Sequence, residues 1–208
     1  PARKAKDADA LGDLLRLLGP LSTPELVERF APENAIPRST NSASPDRTTL
    51  AEIVEWAMDE FARANRILRA TIAGEHRWAV IEDASRLRDA LGVPLPIGVP
   101  TAFLDPVPDP VGDLVSRYTR THTPFPAAEA AARLGLGVAV VTDALRRLAS
   151  DRRAVEGEFR PGATGSEWVD AEVLRRLRSR SLAALRSEVE PVPQSALGRF
   201  LPDWQKVG

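Results

Sequence analysis

The stretch VEGEFRPGATGSEWVDAEVLRRLRSRSL, residues 155–182, sets two short strand patterns about a Gly/Pro-rich turn and then runs at once into an arginine-studded helix. Val155, Gly157 and Phe159 alternate with Ala154, Glu156 and Glu158, the period of two of a half-buried strand. The turn at 160–166 supplies the glycines that hairpin turns use at positive φ. A lone two-stranded hairpin is marginal in water, so this one must pack on helices supplied by its neighbours. The nature of those helices decides the fold.

Upstream, Val138, Val141, Leu145 and Leu148 fall at i, i+3, i+7 and i+10, one stripe of an amphipathic helix over about 138–150. Gly135 and Gly137 bracket the turn before it, where a left-handed residue ends a helix cheaply. Further upstream, VGDLVSRYTRTHTPFPAAEAAARLG (111–135) matches LGDLLRLLGPLSTPELVERFA (11–31) in order and character. Each opens on Gly-Asp-Leu and breaks at a proline before a second short helix, with Glu25 and Glu129 early in that helix. The match continues with a third helix near 49–64 in the first copy, then strands RILRATI and RWAVI, with Trp78 in the position of Trp168. The order helix, helix, helix, strand, turn, strand, helix therefore occurs twice.

That order predicts a mostly helical α+β chain of two tandem winged-helix domains, each three helices closed by a β-hairpin wing, followed by a long helix. The first domain spans 1–91, with a flexible loop at 31–49. A proline-rich but ordered connector spans 92–110, its order argued from Leu95, Ile97, Val99, Phe103 and Leu104. The second domain spans 111–178, and 179–208 continues the helix into a further module. The chain begins at Pro1 and its single methionine is Met58, which reads as a piece of a longer polypeptide.

Composition removes several classes. There is no cysteine, hence no disulfide and no thiolate metal site, which fits a cytoplasmic protein. No run approaches the roughly 18 apolar residues of a membrane helix. A phosphate-binding loop ends in Gly-Lys-Ser/Thr, yet Lys4, Lys6 and Lys206 follow Arg3, Ala5 and Gln205, so ATP hydrolysis is not expected within the chain. His76 and His122 have no metal-ligand spacing, so neither a metal nor another cofactor is expected here. Glu82, Asp83 and Asp170 stand at helix starts and read as caps. Trp56, Trp78 and Trp168 read as packing residues, and Trp204 as a contact for the next module.

Arginine supplies 25 of the 28 basic residues, a bias that GC-rich codons explain as readily as function, so placement has to carry any binding argument. Between 146 and 186 lie ten arginines against six acids. Arg146 and Arg147 on the third helix, Arg152 and Arg153 after it, and Arg160 at the wing base sit where such a module meets phosphates. The modest surplus predicts two to four phosphate contacts, micromolar or weaker binding and little sequence preference. The competing reading is a protein-interaction scaffold within the polypeptide, or a homo-oligomer, in which the wings and third helices are covered.

RLRDALGVPLPIGVP (86–100), DPVGDLVSRYTRTHTPF (109–125), VEGEFRPGATGSEWVDAEVLRRLRSRSLAALRSEVEPV (155–192) and RFLPDWQ (199–205) resemble the extension beyond the ATPase core in the large helicase-related (Lhr) family of bacterial superfamily 2 helicases. The resemblance is close from about residue 75 onward and looser over 10–74. Many members of the family this chain resembles have Cys where Val169 stands and a capping Thr or Ser where Pro126 stands. It implies a parent enzyme that uses ATP and Mg²⁺, moves 3′-to-5′ on single-stranded DNA and unwinds duplexes and RNA:DNA hybrids in DNA repair. It also implies kinship with DNA glycosylases built from winged helices, which carry a Gln-apolar-Asp/Gln motif. Here Gln194 precedes Ser-Ala and Gln205 precedes Lys-Val, so neither matches.

Overall fold

In the computed structural model, residues 5–31, 49–163, 165–188, 200–201 and 204–205 are described. The loop expected at 31–49 falls, apart from its ends, outside them, as does Gln194. The first copy comprises α1 (Ala8–Leu18), α2 (Thr23–Arg29), α3 (Leu50–Arg63), β1 (Ile67–Ile72), β2 (Glu75–Val80) and, after a 3₁₀ turn, α4 (Ala84–Leu91). The second comprises α5 (Pro110–Thr121), α6 (Ala127–Leu134), α7 (Val138–Ser150), β3 (Ala154–Gly157), β4 (Glu167–Asp170) and α8 (Ala171–Glu188). The chain is thus α+β and mostly helical, with two small antiparallel hairpins among the described residues. It divides into one compact unit through Ala171 and another from Glu172.

Local chemistry sets the ends. A capping box starts α2, in which the Glu25 carboxylate accepts the Ser22 N–H at 2.8 Å. Thr49 and Glu52 form another at α3. Asp109 caps α5 by accepting the Gly112 N–H at 3.0 Å. Pro126 gives α6 no side-chain cap, and Glu129 instead accepts from the Tyr118 hydroxyl at 3.1 Å.

The two hairpins are anchored alike. Trp78 exchanges both backbone hydrogen bonds with Leu21, at 2.8 and 3.0 Å. Trp168 does the same with Phe125 at 2.8 and 3.0 Å. In each copy the segment between the first two helices adds one bridge to the second strand, at the tryptophan.

Their surroundings differ. Register pairs Ile67 with Val80, Leu68 with Ala79, and Arg69 with Trp78. Ile67, Trp78 and Val80 join a core with Leu11, Leu15, Leu26, Val54 and Met58 of α1–α3. Leu68, Ala70, Ile72 and Ala79 turn the other way, into a core with Leu114, Val115, Tyr118, Leu145 and Trp168 of the second copy. The first hairpin is therefore a layer between two helical layers, and the copies share one unit. The unbroken apolar run Trp78–Ala79–Val80–Ile81 is the mark of a strand buried on both faces.

A polar seam follows the same boundary. Arg133 on α6 donates to Glu25 on α2 and to the Pro20 carbonyl, the latter at 3.0 Å. Arg77, itself buried, donates to the Arg133 carbonyl at 2.8 Å. Burial raises the Glu25 pKa, but the Arg133 guanidinium and the Ser22 N–H outweigh it and hold the carboxyl below its usual 4.5. No buried side-chain nitrogen or oxygen among the described residues lacks a partner.

Several expectations need correction. Asp83 is not a side-chain cap of α4: it makes no capping bond and, 2% exposed, accepts both outer nitrogens of Arg117 and one of Arg86. Trp56 does not pack: it is 65% exposed, because the buried stripe of α3 runs through Val54, Ala57 and Met58, about 200° from it at 100° per residue. Val138 is exposed in the first turn of α7, where Val141, Ala144, Leu145 and Leu148 form the buried stripe. In the connector, Leu95, Val99 and Phe103 pack against the core while Ile97 is fully exposed. Trp204, expected to contact a further module, needs no correction: it is exposed, its ring 5.4 Å from that of Phe200.

Gly135 ends α6 in the left-handed region, φ +67°, and a Cβ there would lie 3.2 Å from the backbone nitrogen of Ala73 in the first hairpin's turn. Gly135→Ala combines a left-handed strain of about 1–2 kcal/mol with this close approach. It is expected to lower the urea midpoint accordingly. An unchanged midpoint would show that the copies are not held at this turn.

Candidate nucleic-acid interface

The arginines singled out by position sort into three groups. Arg146 and Arg147 project from the last turns of α7, with side chains 68% and 57% exposed. Arg146 faces Asp143 at 3.6 Å and Arg147 faces Asp109 at 3.5 Å, pairs whose four partners are all more than half exposed. Such surface pairs contribute about 0–1 kcal/mol, so a phosphate can displace them. Arg152 follows in the turn with φ +58°, exposed, and no ion pair of it is seen among the described residues.

Arg153 is committed elsewhere: its guanidinium donates to Ser116 Oγ at 2.6 Å, tying the turn to α5. Arg160 stands apart at the wing base, where Glu167, 2% exposed, receives its guanidinium and the backbone N–H groups of Phe159 and Arg160 at 3.1 and 3.0 Å. Burial raises the Glu167 pKa, and these donors more than offset it, so the carboxylate stays ionised. Arg160 is half exposed but serves first to close the hairpin. The structure thus gathers Arg146, Arg147 and Arg152 at one end of α7 and gives Arg153 and Arg160 structural partners.

The third helix of the first copy has the opposite character. On α3, Glu52, Glu55, Asp59 and Glu60 stand against Arg63 alone, and Arg63 is paired with Glu60. Phosphates are repelled there, whereas α7 carries two arginines against Asp143. All five arginines singled out from the sequence lie in the second copy, and the charges on the two third helices agree with that choice.

A cavity of about 330 Å³ opens between the copies, lined by Leu14, Leu18, Tyr118, His122 and several arginines. Its arginines are engaged: Arg133 with Glu25, Arg117 with Asp83, Arg77 with Glu75, and Arg29 with the Glu25 carbonyl at 2.7 Å. Burial lowers the pKa of His122, which stacks on Tyr118 at 3.7 Å. The cavity is the middle of the seam, without a donor set left over for an anion. Among the described residues no three His, Asp or Glu side chains are placed to hold a metal ion, and no helix is long and apolar enough to cross a membrane.

Three short helices closed by a hairpin, found in both copies, define a winged-helix protein. The family model described as "Large helicase-related protein, winged-helix domain" matches residues 1–106, just over half of the chain, and the chain belongs to this family. The match includes the N-terminal region where the resemblance looked looser. The chain is 47% identical over 208 residues to the "Lhr helicase/ probable uracil glycosylase" of Mycolicibacterium smegmatis. It is 35% identical over 207 residues to the "Lhr helicase/uracil glycosylase" of Escherichia coli. All of this chain is covered in both, and it spans 12% of the length of each.

Proposed function

We propose that this chain is a pair of tandem winged-helix modules, residues 1–91 and 111–178 joined by the connector 92–110, that holds nucleic acid for an ATP-dependent helicase without hydrolysing ATP itself. Residues 179–208 lead into a further module. The observation that carries the reading is the exposed, loosely paired arginine end of α7, with Arg146, Arg147 and Arg152. Arg153 and Arg160 support that surface rather than extend it. ATP, Mg²⁺ and 3′-to-5′ movement belong to the parent enzyme's motor, and DNA repair to the parent's role. The ligand is a single-stranded, duplex or hybrid backbone, read without base contacts.

The names of both relatives include a uracil glycosylase, which makes base excision by the parent a reasonable companion activity. It is placed outside this chain, since Gln205-Lys-Val lacks the motif's acid or amide. A scaffold reading is favoured for the first copy alone, where α3 is acidic and exposes Trp56.

The test is fluorescence anisotropy with labelled single-stranded, duplex and hybrid probes. Arg146→Ala/Arg147→Ala is expected to weaken binding to all sequences alike, by about tenfold (about 1.4 kcal/mol). Stability should stay within about 0.5 kcal/mol, because both side chains lie off the buried stripe. Equal affinity in the double variant would remove α7 as the contact surface and bring the scaffold reading forward.

A further inference from the structure

The second unit carries a denser basic surface than the one just described. From Val173 to Ser187 the chain has five arginines and no acid. Arg175, Arg176, Arg178, Arg180 and Arg186 are all exposed on α8. The carboxylate of Glu172 is shared by Arg175 and Arg176, the latter at 3.1 Å. Arg178 and Arg180 have only Leu, Arg, Ser and Ala at three and four residues' distance, so the helix offers them no carboxylate. A solvated helix normally intersperses both signs of charge, whereas α8 carries its acids only at its two ends, Glu172 and Glu188.

Geometry organises the charges. At 100° per residue, Arg175, Arg186, Arg176 and Arg180 fall within an arc of roughly 140°, while Leu174, Leu177 and Leu185 occupy the opposite side. From 175 to 186 the helix rises about 16 Å, the length of roughly five phosphates along one strand at 3.4 Å each. Ser179 adds a short hydroxyl donor within the arginine arc.

We propose that α8 is a nucleic-acid backbone contact in its own right, with Arg176, Arg180 and Arg186 as its principal phosphate ligands. The inference rests on the nucleic-acid reading above and adds a surface to it. Charge complementarity selects the occupant. An anionic membrane is the other polyanion a basic helix meets, but Ser181 interrupts the apolar side and Arg178 lies between Leu185 and Leu182, leaving no continuous face to insert.

The experiment compares the parent chain with Arg176→Gln/Arg180→Gln/Arg186→Gln and with Arg146→Ala/Arg147→Ala. Each is titrated with duplex and hybrid probes over a range of salt, and with phosphatidylserine vesicles. Glutamine keeps helix propensity, and far-ultraviolet circular dichroism checks that α8 persists. The triple variant is expected to lose roughly 10- to 100-fold in affinity and about 2.7 in the slope of log K against log salt. The matching Arg→Lys triple should restore most of that slope, because counterion release follows charge. If the triple variant binds as the parent does while the α7 double variant weakens, this inference fails and the proposed function stands. If the triple variant weakens and the α7 variant does not, α8 is the surface and the α7 assignment fails. If the parent binds vesicles and no nucleic acid, both are overturned.

Discussion

Replacing Trp78 by alanine is expected to destabilise the chain by about 3–5 kcal/mol, the cost of emptying a buried aromatic site. The indole is 2% exposed, donates from Nε1 to Thr23 Oγ1 at 3.1 Å, and lies beneath the Arg69 guanidinium, 5.1 Å from the ring. It also sits on the strand that Leu21 bridges, so a cavity there loosens the contact between hairpin and helices. Because the hairpin's other face carries Leu68, Ala70, Ile72 and Ala79 into the second core, the loss is expected to reach both copies. Thermal unfolding should therefore remain a single transition through Ala171, shifted down by about 6–20 °C at 2–4 °C per kcal/mol. Trp78→Phe retains most of the volume and should cost about 1 kcal/mol through the lost hydrogen bond. A Trp78→Ala protein that melts within 3 °C of the parent would contradict this packing.

Asp83→Ala is the second large effect, at about 3–5 kcal/mol. The carboxylate is buried against Arg117, whose side chain is 16% exposed, so removing it leaves an arginine charge in a poorly solvated place. Arg86 suffers less, since it keeps Asp113 at 2.9 Å. The cost belongs to the orphaned partner more than to the pair. Asp83→Leu combined with Arg117→Met should accordingly recover most of the stability, as apolar replacement of buried ion pairs often does. Urea unfolding of the single and double variants measures this. If the double variant is no more stable than Asp83→Ala, the buried pair is not the source of the loss.

How far the sequence could be read depended on the range of the interaction. Periodicity and turn residues placed α3, α7 and both hairpins to within a residue or two, and the repeat put Trp78 and Trp168 in equivalent strands. All of these are local signals. Asp83 looked like a cap because its position at a helix start is visible in sequence, whereas its true partner lies 34 residues away. Trp56 reads as a packing residue from its residue type, whereas its place two positions from Val54 on a helix points it the other way. The first hairpin's second buried face could have been found from the run at 78–81, but which neighbour covers it is a property of the tertiary fold.

The candidate site was legible in part for the same reason. Position within a repeat located Arg146, Arg147 and Arg152 on an exposed end of α7. It could not show that Arg153 is held by Ser116 or Arg160 by Glu167, because those carboxylate and hydroxyl partners come from other elements. The arginines of α8 were counted in the basic surplus, and their lack of helical counter-charges gave them weight only once the helix was placed.

The most direct test of the central claim is a salt titration of the parent chain with single-stranded, duplex and RNA:DNA hybrid probes. Arginines of α7 and α8 contacting phosphates predict measurable, micromolar-range binding at low salt that is indifferent to sequence. With three arginines on each of the two surfaces they also predict a duplex slope near −5 in log K against log salt, at about −0.9 per contact. No binding to any probe at low salt, or binding whose strength does not change with salt, would contradict it.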